Sequence, residues 1–180
     1  MAALPQRSNR KPDDPETIRA WLASAHPSPS QSRREWTTQH IALLPLGRRF
    51  GAVRIPGVLV HAAAGSDSPH TVAATIAREL RGPVIHDRLT VGPTYYALVP
   101  WWPHIHWEGA NDTPYLGPGV FLGVPDIGRT EPPGSYWVTQ PRHRFHLCRR
   151  EDVFDFIVRA RCELRKIREA APDSEVESVR

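Results

Sequence analysis

The chain has 180 residues, 40% of them hydrophobic, enough for one domain with a buried core. Its formal net charge is +4, and among the 23 basic residues only Lys11 and Lys166 are lysines; arginine forks suit phosphate and guanine, although a GC-rich coding bias produces the same composition. No apolar run approaches the roughly 20 residues of a membrane span, and two cysteines make neither a disulfide framework nor a thiolate metal cage.

Residues 1–13 are polar, lack the apolar core of a signal peptide, and are expected to form a flexible tail. With Cys148 and Cys162 reduced, the expected location is cytoplasmic. Asp14-Pro15 pairs an N-cap with proline at the first helical position, predicting a helix over 15–25 with Ile18, Trp21 and Leu22 on one face. Residues 27–34, Pro-Ser-Pro-Ser-Gln-Ser-Arg-Arg, read as a linker-like loop. Ile41-Ala-Leu-Leu44 reads as a buried strand, and Phe50-Gly-Ala-Val-Arg-Ile55 as a second strand with one face toward solvent or ligand. Residues 56–64 look helical, with His61 as a core or rim histidine. Ser68-Pro69 repeats the cap-plus-proline signal, and Val72, Ile76 and Leu80 follow at helical spacing.

Val84-Ile-His86 and Tyr95-Tyr-Ala-Leu-Val99 are two further predicted strands around the turn Val91-Gly-Pro-Thr94. His86-Asp87 reads either as a general base with its orienting acid or as a strand-end histidine beside a turn aspartate. Residues 101–113 form an irregular aromatic loop. If extended, it projects His104 and His106 to one face with Glu108 two further along, a two-His, one-carboxylate pattern for a transition metal. The alternative is an aromatic cap on the sheet. Trp101, Trp102 and Trp107 are candidates to stack bases.

Residues 119–124 and 135–138 are short strands separated by a polar loop. Arg142, His143, Arg144 and His146 form a basic patch, and Arg33, Arg34, Arg48, Arg49 and Arg54 cluster around the first strands. The final helix begins near Glu151; Val153, Ile157, Ala160, Leu164 and Ile167 give it an apolar side, with Arg159, Arg165, Lys166 and Arg168 mostly outside. Residues 171–180 are expected to be disordered. Strands interleaved with helices predict an α+β sandwich (an α/β sandwich with a mixed sheet), its sheet covered mainly on one face, in one domain over 14–170.

In order, Leu44-Pro-Leu-Gly-Arg-Arg-Phe-Gly-Ala-Val-Arg-Ile-Pro56, Gly82-Pro-Val-Ile-His-Asp87, Tyr95-Tyr-Ala-Leu-Val-Pro100, Leu116-Gly-Pro-Gly-Val-Phe-Leu-Gly-Val-Pro125 and His146-Leu-Cys148 make the stretch over about 40–155 resemble short actinobacterial proteins of the bifunctional primase-polymerase type. The resemblance implies a prim-pol-like fold and a groove shaped for a nucleotide or nucleic acid. Family chemistry is two-metal nucleotidyl transfer from an Asp-x-Asp strand, a later histidine and a third carboxylate. Here the first of those strands reads Phe50-Gly-Ala-Val-Arg-Ile55, without an acid; the histidine strand reads Tyr95-Tyr96; Tyr115-Leu116 stand where the third acid belongs. No catalytic residue carries over, and no Mg or Zn cofactor is expected.

The leading expectation is therefore a catalytically degenerate domain that binds a nucleotide or nucleic acid, or regulates a protein partner. Arg48, Arg49, Arg54, Tyr95, Tyr96, Arg142 and Arg144 would contact phosphate. A metal-dependent enzyme using His104, His106 and Glu108, and a pure protein-interaction module, are the alternatives.

Overall fold

The computed structural model describes residues 11–88, 92–101, 107 and 109–170. Five helices and seven strands run in the order α1 (Pro15–Ala23), α2 (Pro29–Gln39), β1 (Ile41–Pro45), β2 (Gly51–Pro56), α3 (Gly57–Ala64), α4 (Pro69–Glu79), β3 (Val84–Asp87), β4 (Thr94–Val99), β5 (Tyr115–Leu116), β6 (Phe121–Pro125), β7 (Tyr136–Thr139) and α5 (Arg150–Ala170). The architecture is α+β in a single domain, as the interleaved pattern predicts.

Every strand pairing is antiparallel, so the sheet is not mixed in direction. The main sheet has the order β5-β2-β4-β3-β7, and β1 pairs with β6 in a separate ribbon. Ile41-Ala-Leu-Leu44 is consequently not a fully buried strand. It alternates, with Ala42 and Leu44 inside and Leu43 57% exposed. The two-residue β5 escaped the sequence reading because it is too short to show a period.

Both faces of the main sheet are covered, which corrects the one-faced expectation. Strand alternation sends successive residues to opposite layers. Ala52, Ile85, Leu98 and Trp137 face a core closed by Ile18, Trp21 and Leu22 of α1, Trp36 of α2, and Leu44, Leu122 and Val124 of the ribbon. Val53, Ile55, Val84, Tyr95, Ala97 and Val99 face a second core closed by Leu59 and Val60 of α3, Val72 and Ile76 of α4, and Val153, Phe156, Ile157 and Ala160 of α5. One sheet thus serves two hydrophobic layers.

The linker-like 27–34 segment is another correction, because most of it belongs to α2. Ser28-Pro29 is the same cap-position-plus-proline signal seen before α1 and α4, here hidden in a Ser/Pro/Arg composition. Tertiary contacts hold this polar helix. Trp36 is buried and donates its indole N–H to the Val124 carbonyl at 2.9 Å, and Glu35 accepts from the Leu43 amide at 3.0 Å. Arg33 pairs with Glu16 across α1 and α2.

Asp14 caps α1 by accepting from the Thr17 amide at 2.9 Å and from its hydroxyl at 2.5 Å, and these bonds hold the Asp14 carboxyl below its ordinary pKa. Gly65 closes α3 with φ 63°, a left-handed turn that costs glycine nothing. α5 docks by Val153, Ile157 and Ala160, but Ile167 is 52% exposed and does not join the core. Arg159 does not point outward either. It donates to the Ala63 carbonyl at 3.0 Å and pairs with Glu79, tying α5 to α3 and α4. No described helix is long and apolar enough to cross a membrane.

Candidate ligand pocket

Antiparallel register builds one row of side chains across four strands. Ile55 of β2 lies opposite Tyr95 of β4, Tyr95 opposite His86 of β3, and His86 opposite Tyr136 of β7. Tyr95 faces the layer of α3, α4 and α5, and cross-strand neighbours share a face, so His86 and Tyr136 rise on that side too. The His86 and Tyr95 rings stack with centroids 4.5 Å apart and planes 15° from parallel. Tyr136 meets His86 edge-on at 89°, its hydroxyl 2.8 Å from His86 Nδ1. His61, from α3, completes the group with Nε2 3.5 Å from the Tyr95 hydroxyl.

His61, His86, Tyr95 and Tyr136 line a pocket of about 550 Å³, within the range of small-molecule sites. Val72 and Ala73 of α4 and Pro93 add apolar wall, while Asp67, Arg88 and Glu131 add charge. Arg88 is exposed, and its positive charge acts on His86, Tyr95 and Tyr136. Burial holds the His86 imidazole down to about 4, with Arg88 and His61 adding to the effect, so the ring is neutral at pH 7. Burial, with the neighbouring Tyr136, pushes the Tyr95 phenol up to about 12. His86 Nε2 is shut off from solvent and has no hydrogen-bond partner among the described residues.

Of the residues singled out from sequence, the pocket takes Tyr95, His61 and His86. Tyr95 and Tyr96 do not share a groove, because adjacent strand residues face opposite layers. Tyr96 lies opposite Arg54 on the other face; burial and then nearby Asp87 raise its phenol, and Arg54 opposes them. His86 and Asp87 do not form a base-and-orienter pair for the same reason. Asp87 accepts from the Ser135 hydroxyl at 2.9 Å, whereas His86 is held by Tyr136.

The remaining arginines are dispersed. Arg49 donates to the hydroxyl of Ser24, the C-cap of α1, at 2.9 Å and Arg48 is exposed, whereas Arg54 is half-buried within β2. Arg144 sits 3.7 Å from Asp13, whose amide donates to the Arg142 carbonyl, so both belong to a separate loop against the N-terminal segment. Trp107 packs edge-on against Phe154 of α5 and donates to the Thr113 carbonyl at 2.8 Å, a structural anchor rather than an open stacking platform. Trp101 is half-buried. Trp102, His104, His106 and Glu108 lie outside the described residues.

β2, the strand that the prim-pol resemblance would fill with Asp-x-Asp, carries Arg54 and no carboxylate. The described residues contain no cluster of three or more His, Cys, Asp or Glu side chains arranged for a metal. β2 therefore does not fit a two-metal centre, and no step is derived through one.

Sequence reasoning missed Tyr136, Arg88, Glu131 and Asp67 as pocket residues. Tyr136 is 50 residues from His86 and meets it only through strand register. The available signal was the β-rich Ser135-Tyr-Trp-Val138 segment, which marked a strand without giving its neighbour. No family model, curated protein or solved structure matches the chain.

Proposed function

We propose that the protein binds a nucleotide-class small molecule, a planar ring bearing an anionic group, in the pocket over β4, β3 and β7. The single observation that carries this reading is the pocket of about 550 Å³, walled by Tyr95, His86 and Tyr136, with Arg88 among its lining residues. Rings and aliphatic walls favour a planar heterocycle. The Arg88 guanidinium offers a fork for phosphate, and Asp67 and Glu131 offer acceptors for sugar hydroxyls. The prim-pol resemblance points to the same ligand class, with the site moved away from Arg49 and Arg54.

Isothermal titration of the full chain with nucleoside 5′-monophosphates and the matching nucleosides tests this. The expected result is saturable monophosphate binding that weakens at least about tenfold in Arg88→Ala, the low end of the roughly 1.5–3 kcal/mol of one charge-assisted hydrogen bond. The nucleoside should bind equally to both proteins. No binding of any monophosphate at millimolar concentration overturns the proposal.

A second reading has its own observation. Phe145 is 61% exposed and has φ 67°, an uncommon backbone state for a bulky residue, in a loop beside exposed Arg142 and Arg144. A largely exposed ring, edge-on against Trp21 with centroids 5.7 Å apart and following two arginines, fits a single-stranded nucleic acid. Fluorescence anisotropy with a labelled single strand across a salt series distinguishes it: Phe145→Ala would weaken strand binding, with no effect on monophosphate binding.

A further inference from the structure

We propose that two copies of this chain pair through the free edge of β6, joining their ribbons into one continuous antiparallel sheet of order β1-β6-β6-β1. β6 has a ladder with β1 alone. The Leu46 amide donates to the Val120 carbonyl and the Asp126 amide to the His40 carbonyl, each at 2.9 Å, so the even-numbered residues of the ribbon form its hydrogen-bonded pairs. The peptide groups of the odd-numbered residues therefore point outward. On β1 that edge is closed where Glu35 accepts from the Leu43 amide. At one end of β6 the Pro125 carbonyl accepts from the Trp137 indole, and proline has no N–H. The N–H and C=O of Phe121 and Gly123 remain, without a hydrogen-bond partner among the described residues.

These groups are self-complementary. With Leu122 facing Leu122 across a two-fold axis, Phe121 of each copy exchanges both bonds with Gly123 of the other. Setting Gly123 on the axis instead leaves the Phe121 carbonyl facing Pro125 and unsatisfied. Residues opposite each other in a ladder share a face, so each Phe121 ring lands on the other copy's Gly123. The space there is open: only Ile41 comes within 4 Å of where a Cβ would stand. Leu43 is next in that row, opposite Gly123 within the ribbon. Leu43 is 57% exposed and Phe121 59%, and this one register covers both. β6 carries no charge to oppose itself. Antiparallel pairing also brings the Phe121 end of one copy, where exposed Arg48 follows Gly47 at Pro118, beside the Pro125 end of the other, where Asp126 follows. A five-residue edge with one ring per copy falls short of the roughly 1,200 Å² of a standard interface, so the dimer is weak, with a dissociation constant on the order of 100 µM. The ribbon lies in the layer opposite the ligand pocket, so this inference stands apart from the nucleotide reading.

Sedimentation velocity of the full chain from about 5 µM to about 1 mM tests it, with amide hydrogen exchange at both ends of that range. The expected result is a passage from monomer to dimer. The Phe121 and Gly123 amides should exchange about fivefold more slowly at the high concentration, where about a fifth of the chains stay monomeric. Phe121→Glu is expected to remain a folded monomer throughout, because the position is exposed. Val58→Glu, at a site on α3 that is 51% exposed, is expected to dimerise like the wild type. A wild type that is monomeric at the top of the range overturns the proposal. So does a dimer whose Phe121 and Gly123 amides gain no protection, or one that survives Phe121→Glu, or one lost equally in Val58→Glu.

Discussion

The His86 imidazole lies almost flat against the Tyr95 ring, with centroids 4.5 Å apart and planes 15° from parallel. The stack buries a titratable group between strands, and its protonation state becomes part of the stability of the fold.

His86 is held neutral down to about pH 4, whereas the unfolded chain takes up the proton near 6.5. Above pH 6.5 neither state binds it and stability is unaffected. As the pH falls from 6.5 to 4 only the unfolded chain is protonated, and stability falls by up to about 3 kcal/mol. Urea denaturation of the wild type between pH 4 and 8 is expected to show this loss. His86→Phe is expected to flatten most of it, leaving a smaller slope of the same sign from His146, whose pKa burial also lowers.

Gly82 is set by close approach. A Cβ added there would lie 2.4 Å from the Cys148 amide nitrogen and 2.6 Å from its Cα. The Cys148 amide also donates to the Leu98 carbonyl at 2.8 Å, so the segment before α5 cannot retreat without breaking that bond. Gly82→Ala is expected to cost about 1–3 kcal/mol in chemical denaturation.

Trp36 is the main anchor of α2. Trp36→Phe retains most of the buried ring and deletes the bond to Val124. The expected cost is about 2 kcal/mol, with α2 amides exchanging faster than those of β4 in hydrogen exchange.

The two thiols should react differently. Cys148 is fully buried, and burial raises its pKa far above the ordinary thiol value, whereas Cys162 is half-exposed on α5. Titration of the native protein with an aromatic disulfide should release one equivalent of thiolate quickly. The second should appear only in denaturant. Two fast equivalents in the native state would contradict the packing around Cys148.

The helices that announce themselves in the sequence do so through caps and period: Asp14-Pro15, Ser68-Pro69, and the apolar steps from Val153 to Ala160. α2 carries the same Ser-Pro start but owes its place to Trp36 and Glu35 meeting β6 and β1, contacts no local window contains. The pocket was legible only in pieces. Tyr95, His61 and His86 stood out as residues, yet β3 pairs with β7 at a sequence separation of 50 between His86 and Tyr136, and that register decides that His86 meets Tyr136 rather than its neighbour Asp87. The arginines stood out because of their number. Their separation into a strand, two loops and a helix follows from topology alone.

β4 runs through the middle of the main sheet, and its two adjoining tyrosines report to opposite sides of the molecule. Chain neighbours thereby become independent handles. An alteration at Tyr95 tunes the chamber, one at Tyr96 disturbs the far side, and a deletion of a single residue in this strand would exchange their roles and scramble both interiors at once.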